Sequence, residues 1–344
     1  MMEELTDRQK TILGLVIQEY VQEASPIGSQ ALVERYELGV SSATVRNELA
    51  RLEELGYLTH PHTSAGRVPT DQGYRRFVER MLGKVKLPLR ERRTITHQFH
   101  QARQSFDEWM PLAASVLART ALGASLVTAP RPAEPRYKHL QLISTQGRLV
   151  LLILVLKGGT VKQRMLTLNE PFEQSALNEA SDRLNQIFNG STEEQIQRHI
   201  PELPTFEADV ADLVLDMMRS TVARTVDAVF RDGLSTVLQE PEFAEGERTQ
   251  GLIRMMEEHS FLEAVLADAL SPEVGSVRVL IGGEGQWDEL QTCSLVLARY
   301  GVMGFATGAL GVVGPTRMFY GRAISAVRFV ADVLSDIVYD MYAD

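Results

Sequence analysis

With 344 residues, the chain is too long for one small hydrophobic core, so two or three domains are expected. Its 44% hydrophobic and 23% charged residues are typical of a soluble globular protein. The longest apolar run, residues 149–156, is too short to span a bilayer, and the acidic amino terminus does not resemble a secretion signal. A single cysteine, Cys293, excludes an internal disulfide framework and fits a reducing cytoplasm.

The net charge of −10 is distributed unevenly along the chain. Residues 40–93 contain 11 Lys and Arg against 6 Asp and Glu, a balance of +5. Residues 94–344 contain 21 against 32, a balance of −11. A basic segment beside an acidic body favours a nucleic-acid partner for the amino-terminal part of the chain, although the total charge argues against one.

The amino-terminal elements follow the order of a winged helix-turn-helix. The apolar periodicity, the capping residues and the turn residues predict four helices and a short hairpin: helices at Leu5–Ala24, Ser29–Tyr36, Ser42–Leu55 and Asp71–Leu82, and strands at Tyr57–His60 and Arg67–Pro69. Thr6 and Gln9 form a capping box for the first helix, and Gly56 ends the third. We therefore expect a DNA-binding winged-helix domain in residues 1–82.

The third helix is the expected recognition helix. Val45, Leu49 and Leu52 fall on one face, which predicts that the opposite face is exposed. Arginine can contact guanine and asparagine can contact adenine, while small residues allow close approach to the bases. The predicted DNA-binding residues are Ser41, Ser42, Ala43, Thr44, Arg46, Asn47 and Arg51 of this helix and its cap, and His62, Ser64, Gly66 and Arg67 of the hairpin. The alternative is an ordinary solvated helix face.

Beyond the winged helix, strands flank a helical block. A basic linker is expected at residues 83–104, then helix to about Thr128, and strand-like runs follow at 139–144, 148–156 and 161–168. The period is helical over 171–270, strands return at 277–281, 293–300 and 304–313, and a last helix starts at Pro315. This order predicts an α+β domain in two parts, residues 105–170 and 271–344, interrupted by an inserted, largely helical domain at 171–270.

The inserted segment carries an apolar stripe that includes Leu213, Met217 and Met218. Such a stripe can pack in the core of one chain or form a dimer contact; both interpretations stay open, and these three residues are the candidates for dimerisation. No spacing of His, Cys or carboxylates indicates a metal site, and no catalytic set is visible, so neither a cofactor nor an enzyme activity is expected. The segment IGGEG lacks the spacing of a phosphate-binding loop and predicts a tight turn.

Two long motifs carry a family resemblance. SSATVRNELARLEELGYL followed by HPHTSAGRVPTDQGYR, and IGGEG followed by GVVGPTRMFYGRAISAV, resemble the two ends of the HrcA family of bacterial heat-inducible transcription repressors. The resemblance implies a winged helix, a GAF-like domain and a dimerisation domain inserted into it. It also implies a homodimer that represses chaperone operons through an inverted-repeat operator, CIRCE, with the chaperonin as modulator and no membrane partner.

Two other functions compete with this interpretation. One is a small-molecule-sensing transcription factor whose GAF-like domain binds a ligand. The other is an enzyme with an appended DNA-binding module, which the missing catalytic set disfavours. Stabilisation by a ligand that binds only the folded protein would separate the first from a plain repressor.

Overall fold

The computed structural model describes most of the chain. The described residues are 4–61, 66–83, 85–102, 105–132, 135–157, 159–223, 229–243, 246–271, 273–284, 287 and 290–342. His62 and Ser64, two of the predicted DNA-binding residues, lie outside them.

The described residues form a mixed α+β protein, as the sequence predicts. The helices, in chain order, are α1 (Asp7–Glu23), α2 (Ser29–Arg35), α3 (Ser42–Glu54), α4 (Asp71–Arg80), α5 (Leu89–Gln101), α6 (Phe106–Ala121), α7 (Gln174–Phe188), α8 (Glu193–His199), α9 (Thr205–Ala223), α10 (Leu234–Val237), α11 (Gly246–Glu257), α12 (His259–Ala269) and α13 (Tyr320–Tyr342). The strands are β1 (Leu58–Thr59), β2 (Val68–Pro69), β3 (Ala124–Thr128), β4 (Arg131–Pro132), β5 (Tyr137–Gln146), β6 (Leu149–Leu156), β7 (Val161–Thr167), β8 (Val229–Asp232), β9 (Val277–Ile281), β10 (Cys293–Val302) and β11 (Ala306–Pro315).

The chain divides into two compact units. The first comprises Met1–Ala129, Ala228–Tyr300 and Ala309–Val333, and the second comprises Pro130–Asp227, Gly301–Gly308 and Leu334–Asp344. The chain therefore passes from the first unit into the second and later returns to the first.

The first unit begins with the winged helix. Helices α1 to α3 bury apolar side chains such as Leu13, Leu32 and Leu52 against one another. The antiparallel pair β1–β2 forms the hairpin, with Leu58 opposite Pro69. Helix α4 follows this hairpin, and the side chain of Thr70 caps it by accepting a hydrogen bond from the backbone N–H of Gly73 at 3.1 Å.

The rest of the first unit is built around an antiparallel sheet. Its strand order is β8-β3-β11-β10-β9, and the short β4 also pairs with β11. Strand β3 is buried along its whole length because helices and neighbouring strands cover it. One apolar core joins β3, β10 and β11 to α11 and α12, and Met255 and Met256 lie in that core.

The second unit has a three-stranded antiparallel sheet, β5-β6-β7, with helices on one face. The inward residues of β5 and β6 form a core with α7, α8 and α9. The side chain of Asn185 on α7 pairs with the backbone of Leu140 on β5: its amide donates to the Leu140 carbonyl at 3.0 Å and its oxygen accepts from the Leu140 N–H at 2.7 Å. This pairing fixes the helix against the sheet.

Several expected boundaries differ from those observed. The predicted helix up to Thr128 is wrong at its end, because β3 occupies residues 124–128 and pairs with β8. The last helix starts at Tyr320 rather than Pro315, which ends β11. Part of the expected linker is the helix α5.

The expected insertion at 171–270 also differs from the second unit, which starts at Pro130 and runs to Asp227. Residues 137–167 belong to it because β5 to β7 share a core with α7 and α9. Residues 229–269 belong to the first unit because β8 pairs with β3 and because α11 and α12 cover the larger sheet.

Candidate nucleic-acid interface

Both ends of α3 are fixed by local signals in the sequence. Ser41 is the N-cap, and its hydroxyl accepts a hydrogen bond from the backbone N–H of Thr44 at 3.2 Å. At the other end, Gly56 has a φ of +79°, a conformation that suits glycine. The N–H of Tyr57 donates to the carbonyl of Leu52 and that of Gly56 to the carbonyl of Glu53, both at 2.9 Å. This Schellman motif ends the helix where the hairpin must begin.

The orientation of α3 agrees with the apolar stripe. Val45, Leu49 and Leu52 are buried, at 0%, 4% and 0% exposure. On the opposite face Ala43, Arg46, Asn47 and Arg51 are exposed, while Ser42 is half-buried. Of these polar side chains, Arg46 and Asn47 have no side-chain partner among the residues that the structure describes. A face of small residues with two uncommitted polar side chains can approach base edges closely.

Other predicted residues of α3 already have partners. The hydroxyls of Ser41 and Thr44 lie 3.0 Å apart and serve the cap. Arg51 forms an ion pair with Glu54 at 2.9 Å, one helical turn along. We expect these three side chains to contribute less to base contact than Arg46 and Asn47, because each would have to exchange an existing interaction.

The acidic side chains of α3 are all held by intramolecular contacts. Glu48 pairs with Arg8 at 3.4 Å and accepts a hydrogen bond from the side-chain amide of Gln9 at 3.1 Å, so it is tied to the start of α1. Glu54 pairs with Arg51, and Glu53 pairs with Arg67. These pairs offset the negative charge of the helix, so its exposed face stays suitable for a polyanion.

The backbone of Arg67 holds the hairpin to the segment between α1 and α2. Arg67 and Ile27 exchange two backbone hydrogen bonds, of 2.8 and 2.9 Å, in an antiparallel bridge. A Cβ atom on Gly66 would overlap the backbone of Ile27, so this position needs glycine for close approach. Gly66, predicted to contact DNA, thus has a structural reason to be glycine.

The side chain of Arg67 is not directed freely into solvent. It is 24% exposed, and its Nε lies 2.7 Å from Oε2 of Glu53 without the alignment of a hydrogen bond. The other carboxylate oxygen of Glu53 contacts Nδ1 of His60 on the same hairpin. Sequence analysis missed Glu53, although an acid in the last turn of the helix, close in the chain to the hairpin, was a signal for such a pair.

A partly buried charge cluster joins α1 to α2. The Glu19 side chain is 8% exposed, accepts a hydrogen bond from the Tyr36 hydroxyl at 2.5 Å and pairs with Arg35. The hydrogen bond from Tyr36, with help from Arg35, lowers the pKa of Glu19, and it outweighs burial, which acts in the opposite direction. The cluster fixes the angle between the first two helices, on which α3 packs.

The residues predicted as candidates for dimerisation lie in or against the core of the second unit. Met217 and Met218 are 5% and 0% exposed, and Leu213 is partly buried against the same core of the second unit. Their side chains therefore pack in the core of one chain, which is the first of the two interpretations that the sequence leaves open. Among the described residues no three His, Cys, Asp or Glu side chains are grouped as a metal would require, and no helix is long and apolar enough to cross a membrane.

Comparison with known proteins gives one consistent family. The family model described as the HrcA protein C terminal domain matches residues 107–324. The heat-inducible transcription repressor HrcA of Roseiflexus castenholzii is 44% identical over 98% of this chain and 96% of its own length. Those of Roseiflexus sp. strain RS-1 and Thermomicrobium roseum are 45% and 40% identical, each over 98% of this chain and 96% and 97% of their own lengths.

One solved structure supports the fold. It is described as the crystal structure of a hypothetical protein at 2.2 Å resolution, with a TM-score of 0.65 and 24% identity over 98% of this chain and 100% of that chain. The full-length similarity to the repressors, together with a winged helix whose third helix presents arginine and asparagine, leads to one conclusion. The chain belongs to the HrcA family of heat-inducible transcription repressors.

Proposed function

We propose that this heat-shock transcription repressor is a cytoplasmic homodimer that binds an inverted-repeat operator, CIRCE, upstream of chaperone operons and is released on heat stress. The observation that carries the DNA contact is the exposed face of α3, where Arg46 and Asn47 have no partner in the described chain. Recognition helices place such amino-terminal residues against base edges in the major groove. Phosphate contacts from the hairpin, through Arg67, add affinity with little sequence preference.

The test is operator binding by Arg46→Ala and Asn47→Ala in the full chain. Each should weaken specific binding by about 1–3 kcal/mol per winged helix, or roughly 5- to 150-fold, because a bidentate base contact is lost. Stability should change by less than about 0.5 kcal/mol because neither side chain is buried. Arg198→Ala is the matched control, since it removes an equally exposed arginine from the second unit. Parental affinity in both α3 variants would refute the assignment.

The dimer proposal needs a surface other than the buried stripe of α9. On β6 the side chains alternate: Val150, Leu152, Leu154 and Leu156 face the core, while the other face has Leu149, Leu151, Ile153 and Val155. Apolar neighbours continue that second face across the sheet: Leu151 is paired with Ile143 and with Met165, and Val155 with Val161.

This outer face is open in a single chain. Val161 and Met165 are 55% and 54% exposed, and Ile143 and Leu149 are 36% and 37% exposed. A strand that is apolar on both faces is typical of a sheet covered on both sides. Exposed apolar patches of this kind mark interaction sites, and a second copy of the chain is the occupant that an inverted repeat requires.

Two variants distinguish the proposed interface from the core. Leu151→Lys together with Met165→Lys should give folded monomers that have lost most operator affinity, whereas Met217→Lys should unfold the second unit because a charge cannot be buried there unpaired. Light scattering reports the oligomeric state, and circular dichroism reports folding. A parental protein that is monomeric at micromolar concentration, or a double variant that stays dimeric, would contradict the proposal.

The chaperonin as modulator rests on the family resemblance alone. If it keeps the repressor active, purified chaperonin should raise the fraction of the parental protein that binds operator after refolding, and a general holdase should not. The names of the relatives give no support to the alternative of small-molecule sensing.

A further inference from the structure

Two motifs of the carboxyl-terminal half have no role in the DNA-binding face. They are the turn after β9, residues 282–284, and the segment around Arg317 between β11 and α13. In the first unit both of them contact the winged helix, and they do so through α4 and α1 rather than through α3.

The glycines of the turn make room for α4. The Gly283 N–H donates a hydrogen bond of 3.2 Å to Oδ2 of Asp71, the first residue of α4. A Cβ atom on Gly282 would clash with the Asp71 carboxylate, and the φ of Gly282 is +50°. Position 282 therefore needs glycine for both space and backbone conformation. The tight turn that the sequence predicts here therefore binds a carboxylate of the same chain, that of Asp71.

Arg75 adds a second contact on the same face of α4, one turn after Asp71. Its Nε donates to Oε1 of Glu284 at 2.6 Å and its Nη2 to Oε2, so the pair is bidentate. The same Nη2 donates to the Val279 carbonyl at 2.8 Å. Glu284 is itself held, since it accepts a hydrogen bond from the Ile281 N–H at 2.9 Å. Bidentate guanidinium–carboxylate pairs fix direction as well as distance.

Between these residues, Tyr74 packs on the other motif. Its ring centroid lies 5.7 Å from that of Tyr320, the first residue of α13. Tyr74 and Tyr320 are each 2% exposed. The Tyr320 hydroxyl donates to the Thr316 carbonyl at 2.6 Å, which orients its ring.

Arg317 contacts α1, a different element of the winged-helix domain. Its side chain is 10% exposed, and Nη1 donates to the carbonyl of Val21 at 3.3 Å. Val21 lies in the last turn of α1, where carbonyls lack helical partners and no basic residue of α1 is present. Glu240 and Glu242 balance the Arg317 charge at 2.5 and 2.6 Å.

We propose that Asp71, Arg75 and Arg317 are positioning residues, which fix the direction of the recognition helix and so select the spacing between the two half-sites of the operator. A winged helix that is held through two of its helices, at separate points, cannot rotate as it could about a single contact. In a dimer, the separation between the two winged helices sets the half-site separation. This inference rests on the proposed dimeric function.

The test uses charge reversal in the full-length protein. Arg75→Glu, Glu284→Arg and the two together are compared on operators whose central spacer is varied by one base pair at a time, and on a single half-site. The parent should prefer one spacer. Each single reversal should lower affinity for that spacer at least tenfold and flatten the profile, with half-site binding kept within about twofold, and the double reversal should restore the preference.

Arg80→Glu is the matched control, because it makes the same charge change on α4 in an exposed residue with no partner among the described side chains. Single reversals that keep the parental spacer profile would overturn the proposal. So would loss of half-site binding together with the profile, or a double reversal that fails to rescue while circular dichroism shows the fold intact. Failure of the proposed function itself would appear separately, as a parent without half-site binding or without dimers.

Discussion

Glu53 offers the sharpest test of how the hairpin meets DNA. Its carboxylate contacts both Arg67 and His60, so the hairpin arginine is held by an acid of the recognition helix. The substitution Glu53→Gln keeps the shape and removes the charge. We expect it to release Arg67 for a phosphate, and therefore to tighten binding to operator and to unrelated DNA by a similar factor.

The size of the effect follows from the exposure of the pair. Glu53 and Arg67 are each 24% exposed, and they are not aligned for a hydrogen bond, so the pair contributes about 0–1 kcal/mol. Release should tighten binding by at most about fivefold per winged helix. Arg67→Ala should weaken both kinds of DNA and lower the salt slope of log K by about 0.9 per winged helix, the value for one lost phosphate contact.

Fluorescence anisotropy between about 50 and 200 mM salt measures both the affinity for DNA and the salt slope of log K. Glu194→Gln is the matched control, because it removes a carboxylate paired with an arginine in the second unit. In the double variant Glu53→Gln with Arg67→Ala, the gain should disappear. If Glu53→Gln tightens binding equally in the Arg67→Ala background, the effect comes from the change in net charge alone and the reasoning is refuted.

Two further predictions concern single groups. The pKa of Glu19 is lowered in the folded state, chiefly by the Tyr36 hydroxyl. Its contribution to stability is therefore present above the unfolded pKa and is lost as pH falls through the folded pKa. In Glu19→Gln the melting temperature should depend less on pH between pH 5 and 3, roughly the range around the pKa of a free Glu. Burial raises the pKa of the Cys293 thiol to about 12, so a thiol reagent at neutral pH should label the protein only after unfolding, and rapid labelling of the native state would contradict the burial.

The winged helix could be predicted closely because its signals are local. Thr6 with Gln9, Ser41 and Gly56 each act within a few residues, and the observed bounds of α1 and α3 lie within two residues of those predicted. Three strands of the sheet of the first unit, β9, β10 and β11, were also predicted near their observed positions. Strands β3 and β8 were not predicted, because they pair across about 100 residues of intervening chain. An apolar stripe at helical spacing likewise cannot distinguish a core from an interface, so the sequence left the role of Met217 open, whereas in the structure Met217 lies in a core.

The exposed face of α3 and the charge of the whole chain together explain how a protein of net charge −10 can bind DNA selectively. Residues 94–344 carry a balance of −11, so they repel DNA and weaken non-specific association. Attraction comes from residues 40–93, whose balance is +5, and within them Glu48, Glu53 and Glu54 of α3 are each offset by an intramolecular partner. With little general electrostatic affinity available, we expect binding to depend on the base contacts proposed for Arg46 and Asn47. In the proposed dimer, tight binding therefore needs both half-sites, and anything that misaligns the two winged helices should release the repressor.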